Sequence, residues 1–260
     1  MTQTKGETQD MSTKSRLMRA VGTAAMTAAM VAGTAVVAQA DDVHHYYLEV
    51  GGTGAAADAP GCTTSYGFAN QHLDAGDKVV PVCYPASAGP WAGSKQFSPD
   101  PNAPSYDASV ELGYKNLLAK AEETHRNDPS ARLTIVGYSQ GAQVADVVLQ
   151  KIANNETEVP RDQVNGMLYA DPMQPGTGVA ARVPKGLSAF GFTSPGAGPE
   201  EFPGVPVERF CIRGDGVCDA TSLASVLGYF TKHGQYPQDG NVMTRTIAHD
   251  GGNGITWIDA

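Results

Sequence analysis

The chain has 260 residues, 41% of them hydrophobic, with 18 Lys and Arg against 27 Asp and Glu for a formal net charge of −9. Such an acidic chain is repelled by phosphate backbones and by anionic lipid surfaces, which argues against a nucleic-acid partner. Only the first forty residues hold a long apolar stretch, and no later one is apolar for long enough to span a bilayer.

At the N-terminus, Lys14, Arg16 and Arg19 precede an Ala-, Val-, Met- and Thr-rich run over 20–37, closed by Ala38-Gln39-Ala40. This is the tripartite pattern of a secretory signal peptide, with cleavage expected after Ala40. The run is built of Ala, Gly and Thr rather than Leu or Ile, which disfavours a membrane anchor. Residues 1–40 are therefore read as a signal peptide and 41–260 as one secreted domain. Loss of the four basic and two acidic residues of the leader moves the net charge to −11.

In the remainder, β-rich runs are expected at 45–50, 78–84, 132–136, 164–170 and 207–212. Helical spacing joins Val110, Tyr114, Leu117, Leu118 and Ala121, and Asn127-Asp128-Pro129 ends that helix. Val144, Ala145, Val148 and Ile152 mark a second one. Strands alternating with helices predict a three-layer α/β sandwich: a central, mainly parallel sheet of about five strands with helices on both faces. Residues 172–206 are Gly- and Pro-rich, carry Phe190, Phe192 and Phe202, and show no period. An excursion of that length is either a flap over a functional site or a surface loop pinned by its aromatics.

All four cysteines follow the leader, and an even number in an exported chain predicts two disulfides. Three pairings exist in principle; the short separation of Cys211 and Cys218 favours a local bridge and leaves Cys62 with Cys83. Zinc is disfavoured, because C-x6-C lacks the short knuckle of structural sites, and no metal or organic cofactor is called for.

The chemistry concentrates in Gly137-Tyr138-Ser139-Gln140-Gly141, which follows the β-run at 132–136 and opens the second helix. A strand, Gly-x-Ser-x-Gly and a helix together describe a nucleophile turn: side chains at the glycine positions would collide with strand and helix, and the serine hydroxyl stands free above the sheet edge. The amide of Gln140, at the positive end of the helix, is the first donor expected to face an oxyanion. A serine needs a base, and the base needs a carboxylate. In this class of fold the order along the chain is serine, acid, histidine. That order excludes His44, His45, His72 and His125 and leaves His233 and His249. Asp215 lies between Cys211 and Cys218, where a bridge would hold it in place, and is the first choice of acid; Asp171 and Asp219 are the alternatives. Arg213-Gly214-Asp215 also spells an adhesion tripeptide, a pattern common by chance.

Gly137-Tyr-Ser-Gln-Gly141 together with Cys-x-x-x-Asp-x-x-Cys at 211–218 resembles the cutinase family of small α/β-hydrolase esterases, and Asp215-Gly-Val-Cys-Asp219 with Tyr229…His233-Gly-Gln-Tyr236 resembles the related PE-PPE hydrolase domain. The likeness runs from about Val50 to Tyr236. It implies a secreted serine esterase acting through Ser139, His233 and Asp215 and an acyl-enzyme, with Thr53 of Gly51-Gly52-Thr53 as the second oxyanion donor beside Gln140. The implied partner is a small-molecule, lipid or polyester ester, and contact with a lipid interface is left open. The alternative is an exported binding or cell-envelope protein that keeps the hydrolase scaffold without turnover.

Overall fold

The computed structural model describes residues 43–93 and 98–259. The proposed signal peptide and its junction at Ala40 lie outside the described residues. The strands are β1 (His45–Val50), β2 (Lys78–Val82), β3 (Arg132–Tyr138), β4 (Val164–Tyr169), β5 (Ser188–Ala189), β6 (Phe192–Thr193), β7 (Val207–Ile212) and β8 (Gly254–Ile258). The helices are α1 (Tyr106–Asn127), α2 (Gln140–Ala153), α3 (Val179–Arg182), α4 (Leu223–Leu227), α5 (Tyr229–Lys232) and α6 (Val242–Thr246).

One sheet runs in the order β2-β1-β3-β4-β7-β8, and every pairing in it is parallel. It has six strands where the sequence reading gave about five. The addition is β8, a short, half-exposed edge strand on β7. Residues in β3 and β4 are buried almost without interruption, as strands covered on both faces must be. The alternation along β1 divides the two cores. Leu48 and Val50 join Ile135, Leu117 and Val148 under α1 and α2, whereas Tyr47 joins Val136, Met167 and Tyr169 on the opposite face, against Tyr66, Tyr236 and α6. The predicted stripe of α1 faces the first core, with Leu117 and Ala121 buried and Val110, Tyr114 and Leu118 packed on its margin. Ser105 caps that helix by accepting from the Ala108 N–H.

The sheet grows outward from the β1–β3 pair in both directions, so the crevice beyond the ends of these two strands is a topological switch point, where ligands bind in open α/β sheets. Cys62–Cys83 joins the loop after β1 to the end of β2, and Cys211–Cys218 closes the turn after β7. Residues 172–206 combine both readings offered above. Phe202 is buried in the core, under the guanidinium of Arg209 at 5.0 Å, while the β5–β6 hairpin holds Phe190 82% exposed at its tip.

Two buried acidic sites depart from the hydrophobic pattern. Arg209 on β7 donates to Asp146 of α2 at 2.6 Å and to Asp171 at 2.8 Å, with all three side chains enclosed. Burial, reinforced by the charge of Asp171, raises the Asp146 carboxyl above its usual range against the opposing pull of Arg209. Glu49 on β1 is fully buried with no well-formed hydrogen bond to its carboxylate, and burial, opposed only by nearby Asn70, pushes it up to about 8.

A carboxyl whose folded pKa is raised favours the native state while it is protonated. Its contribution is complete below the unfolded value near 4.5 and is lost as pH rises through about 8, with a slope approaching ~1.4 kcal/mol per pH unit. Glu49→Gln removes this dependence. Urea denaturation at pH 5, 7 and 9 should show the variant gaining on the parent at each step; a stability difference constant with pH would contradict the assignment.

Candidate active site

Register places the pieces. Val50 pairs with Gly137, so the chain leaving β1 through Gly51, Gly52 and Thr53 runs beside the chain leaving β3 through Tyr138 and Ser139. The approach is close enough to forbid side chains. A Cβ on Gly137 would sit 2.5 Å from the Gly141 carbonyl oxygen, and one on Gly141 would sit 2.3 Å from that of Val50. On Gly52 it would meet the Ser139 Cβ at 3.0 Å. Ser139 itself has φ +56°, a conformation a non-glycine residue adopts only when its surroundings enforce it, and its N–H donates to the Tyr169 carbonyl at 2.9 Å.

Ser139 Oγ lies 2.8 Å from His233 Nε2. On the far side of the ring, His233 Nδ1 lies 2.9 Å and 3.1 Å from the two carboxylate oxygens of Asp215. Asp215 is fully buried and His233 nearly so. The carboxylate is fixed by its place in the turn closed by Cys211–Cys218, where its N–H donates to the Ile212 carbonyl and its Oδ1 accepts from the Val217 N–H.

The imidazole is held flat by two phenol rings, Tyr138 at 5.1 Å and Tyr229 at 4.9 Å between centroids, both stacked. The Tyr138 hydroxyl also donates to the His233 carbonyl at 2.6 Å. Burial pushes both phenols above their usual range, which keeps the Tyr138 hydroxyl a donor. Behind them, the Ile212 N–H donates to the buried Tyr236 hydroxyl at 2.7 Å, tying the segment after His233 to β7. Sequence reasoning singled out none of these tyrosines as supports. Their signal was present as the variable position of the serine motif and as the residues flanking His233.

Gln140 and Thr53 line the same cavity as Ser139. Gln140 opens α2, so its N–H has no partner within the helix. Its side chain is locked away from the cavity: it accepts from Ser109 Oγ and donates to the Ser87 carbonyl, each at 3.0 Å, and Ser109 Oγ in turn accepts from the Ser87 N–H.

The alternatives fall elsewhere. Asp171 is engaged by Arg209 and the Met173 N–H, and Asp219 accepts from the Gly214 N–H and the Thr221 hydroxyl. His249 is exposed and adjoins Asp250, whose carboxylate accepts from Arg132, Thr134 and Asn165. Thr134 lies near the start of β3, five residues and about 16 Å before the turn at Ser139, so His249 belongs to the opposite end of the sheet. No group of metal-ligating side chains occurs among the described residues.

The cavity over Ser139 has a volume of about 490 Å³. Its walls are Ala88, Trp91, Tyr106, Pro172, Val179, Ala189, Phe190, Phe192, Val217 and Tyr229, and none of its lining side chains is charged.

A parallel sheet whose third strand turns through a left-handed serine into a helix makes this an α/β-hydrolase fold. A cutinase-like protein from Cryptococcus sp. has a similar structure, at TM-score 0.52 and 18% identity over 81% of this chain and 96% of that one. The PE-PPE domain matches residues 75–250, and the chain belongs to that family. Two curated relatives are similar in sequence. The uncharacterized PPE family protein PPE28 of Mycobacterium tuberculosis is 30% identical over 143 residues, and a Carboxylesterase Culp6 homolog of Corynebacterium glutamicum is 37% identical over 79. These alignments cover 50% and 30% of this chain but 21% and 26% of the relatives, so the chain matches about a quarter of their length.

The backbone crowding at the serine turn yields a stability test. Gly141→Ala should lose about 3 kcal/mol or more, at the upper end of overpacking effects. Gly234→Ala, where an added Cβ meets nothing within 4 Å, should stay within about 0.5 kcal/mol. Equal midpoints for the two variants in chemical denaturation would refute the close-contact argument.

Proposed function

We propose that this chain is an exported serine hydrolase of carboxylic esters. The observation that carries the reading is the unbroken line from Ser139 Oγ through His233 to Asp215, with both ring nitrogens at hydrogen-bond distance from their partners. His233 takes the Ser139 proton as the hydroxyl oxygen attacks the ester carbonyl, and Asp215 stabilises the imidazolium that forms. The amides of Gln140 and Thr53 receive the oxyanion. Collapse of the tetrahedral species transfers the proton to the departing alcohol and leaves an acyl group on Ser139; a water deprotonated by His233 then releases the acid.

The name of the Corynebacterium relative, a carboxylesterase, and the cutinase-like neighbour support the choice of esters. An uncharged, aromatic-walled cavity suits a lipophilic acyl group better than a charged or heavily hydroxylated one, since polar groups buried there would lack partners. Two disulfides and the leader pattern at 1–40 support export.

Ser139→Ala should lower kcat on p-nitrophenyl butyrate by roughly four to six orders of magnitude, because the members of such a relay act as a unit, with the melting temperature nearly unchanged. A fluorophosphonate probe should label the parent and not the variant. A parent that neither turns over the ester nor reacts with the probe would instead support the non-catalytic binding reading.

A further inference from the structure

The exposed large apolar side chains are unevenly distributed. Phe190 and Trp91 are 82% and 61% exposed and meet edge to face, with ring centroids 6.2 Å apart, at one lip of the cavity. Tyr229 also lines the cavity, and Phe230, in edge-to-face contact with it, is 80% exposed. Leu223 and Leu227 of α4, the helix immediately before α5, are 75% and 56% exposed, and neither α4 nor α5 has a buried side chain. Short helices that present Leu and Phe to water stabilise the monomer very little, and apolar patches of this kind mark contact surfaces.

Charge supplies an independent observation. None of the 27 Asp and Glu residues falls within 78–93, 172–199 or 220–238, the three segments that bring Trp91, Phe190 and Tyr229 to the cavity. The same segments carry Arg182, Lys185 and Lys232, while Lys78 lies at the other end of the sheet, where β2 begins. The carboxylates that come near are engaged within the fold: Asp100, beside the Trp91 loop, accepts from the Asn102 N–H, Asp107 from the Thr193 N–H, and Asp219 from the Gly214 N–H and the Thr221 hydroxyl. A chain of net charge −9 thus presents, around one opening, a face whose few carboxylates are already hydrogen-bonded within the fold.

We propose that this collar docks onto the surface of an acyl-lipid layer and presents the cavity to it. The collar surrounds the opening without filling it, so its occupant must be one that can also deliver a chain into the cavity. A lipid layer does so; a folded protein seated there would close the opening. Phe190, Trp91, Phe230, Leu223 and Leu227 enter the acyl boundary, and the scarcity of carboxylates lessens both desolvation and repulsion from anionic headgroups on approach. The proposal rests on the hydrolase reading for the purpose of docking, but binding itself requires no turnover.

The test is flotation of the full chain with phosphatidylcholine vesicles, with and without phosphatidylglycerol, comparing the parent with Leu223→Ser/Leu227→Ser/Phe230→Ser. Residues 1–42 are common to both, so the difference isolates the collar. The triple variant should partition at least tenfold less at 0.5 M NaCl, keep its rate on dissolved p-nitrophenyl butyrate within twofold, and lose rate on an emulsified long-chain ester. Phe230→Glu, a single change at an exposed site, should lower partitioning in the same direction and serves if the triple variant does not fold. Equal flotation of parent and variants overturns the proposal, as does a parent that stays unbound. A loss of self-association in the variants without loss of flotation reassigns the collar to a second copy of the chain. Flotation that depends on the collar in a protein that hydrolyses no ester would leave docking intact and remove the hydrolase reading.

Discussion

At the end of β3 two stretches of main chain pass each other with no side chain between them. Gly137 faces Gly141 across the turn, and Gly141 rests on the carbonyl groups of Val50 and Gly51 where β1 ends. The position of α2, the left-handed backbone of Ser139 and the proximity of Thr53 all follow from that contact. The end of β1 is itself fixed by two buried phenols, Tyr66 donating to the Val50 carbonyl and Tyr84 to that of Gly51. The floor of the cavity is therefore backbone held by backbone, and small residues are required there for shape as much as for conformational freedom.

The other half of the site is built differently. Asp215 sits in an eight-residue disulfide turn, but His233 follows two short helices with no buried side chains. Its orientation comes from outside its own segment, through the stacked rings of Tyr138 and Tyr229 and the hydrogen bond from Tyr138 to its carbonyl. Tyr138 thus links the two halves, since it adjoins the serine in sequence and supports the histidine in space.

Much of this arrangement was legible from residue order. The run at 132–136, the glycines around Ser139 and the stripes of α1 and α2 each obey a local rule, and local rules survive folding when tertiary contacts reinforce them. The elements that escaped obey no such rule. β8 is a short, half-exposed edge strand whose partner lies far away in the chain. Tyr138 and Tyr229 look like ordinary core aromatics until the ring between them is placed. Arg209, Asp146 and Asp171 interrupt strand and helix with charge, and only their mutual distances account for their burial. The excursion at 172–206 resisted a choice between flap and pinned loop because Phe202 and Phe190 perform those two tasks separately.

Asp250 has a further consequence. Its carboxylate gathers Arg132, Thr134 and Asn165 at the end of the sheet, just before the chain enters β8, and hydrogen bonds from His45, Thr134, Asn165 and Arg132 outweigh its burial and hold it well below the usual carboxylate range. The sheet is thereby held at both poles by different means: a carboxylate gathering polar side chains at the end remote from Ser139, and close main-chain contact with two disulfides at the end beside it.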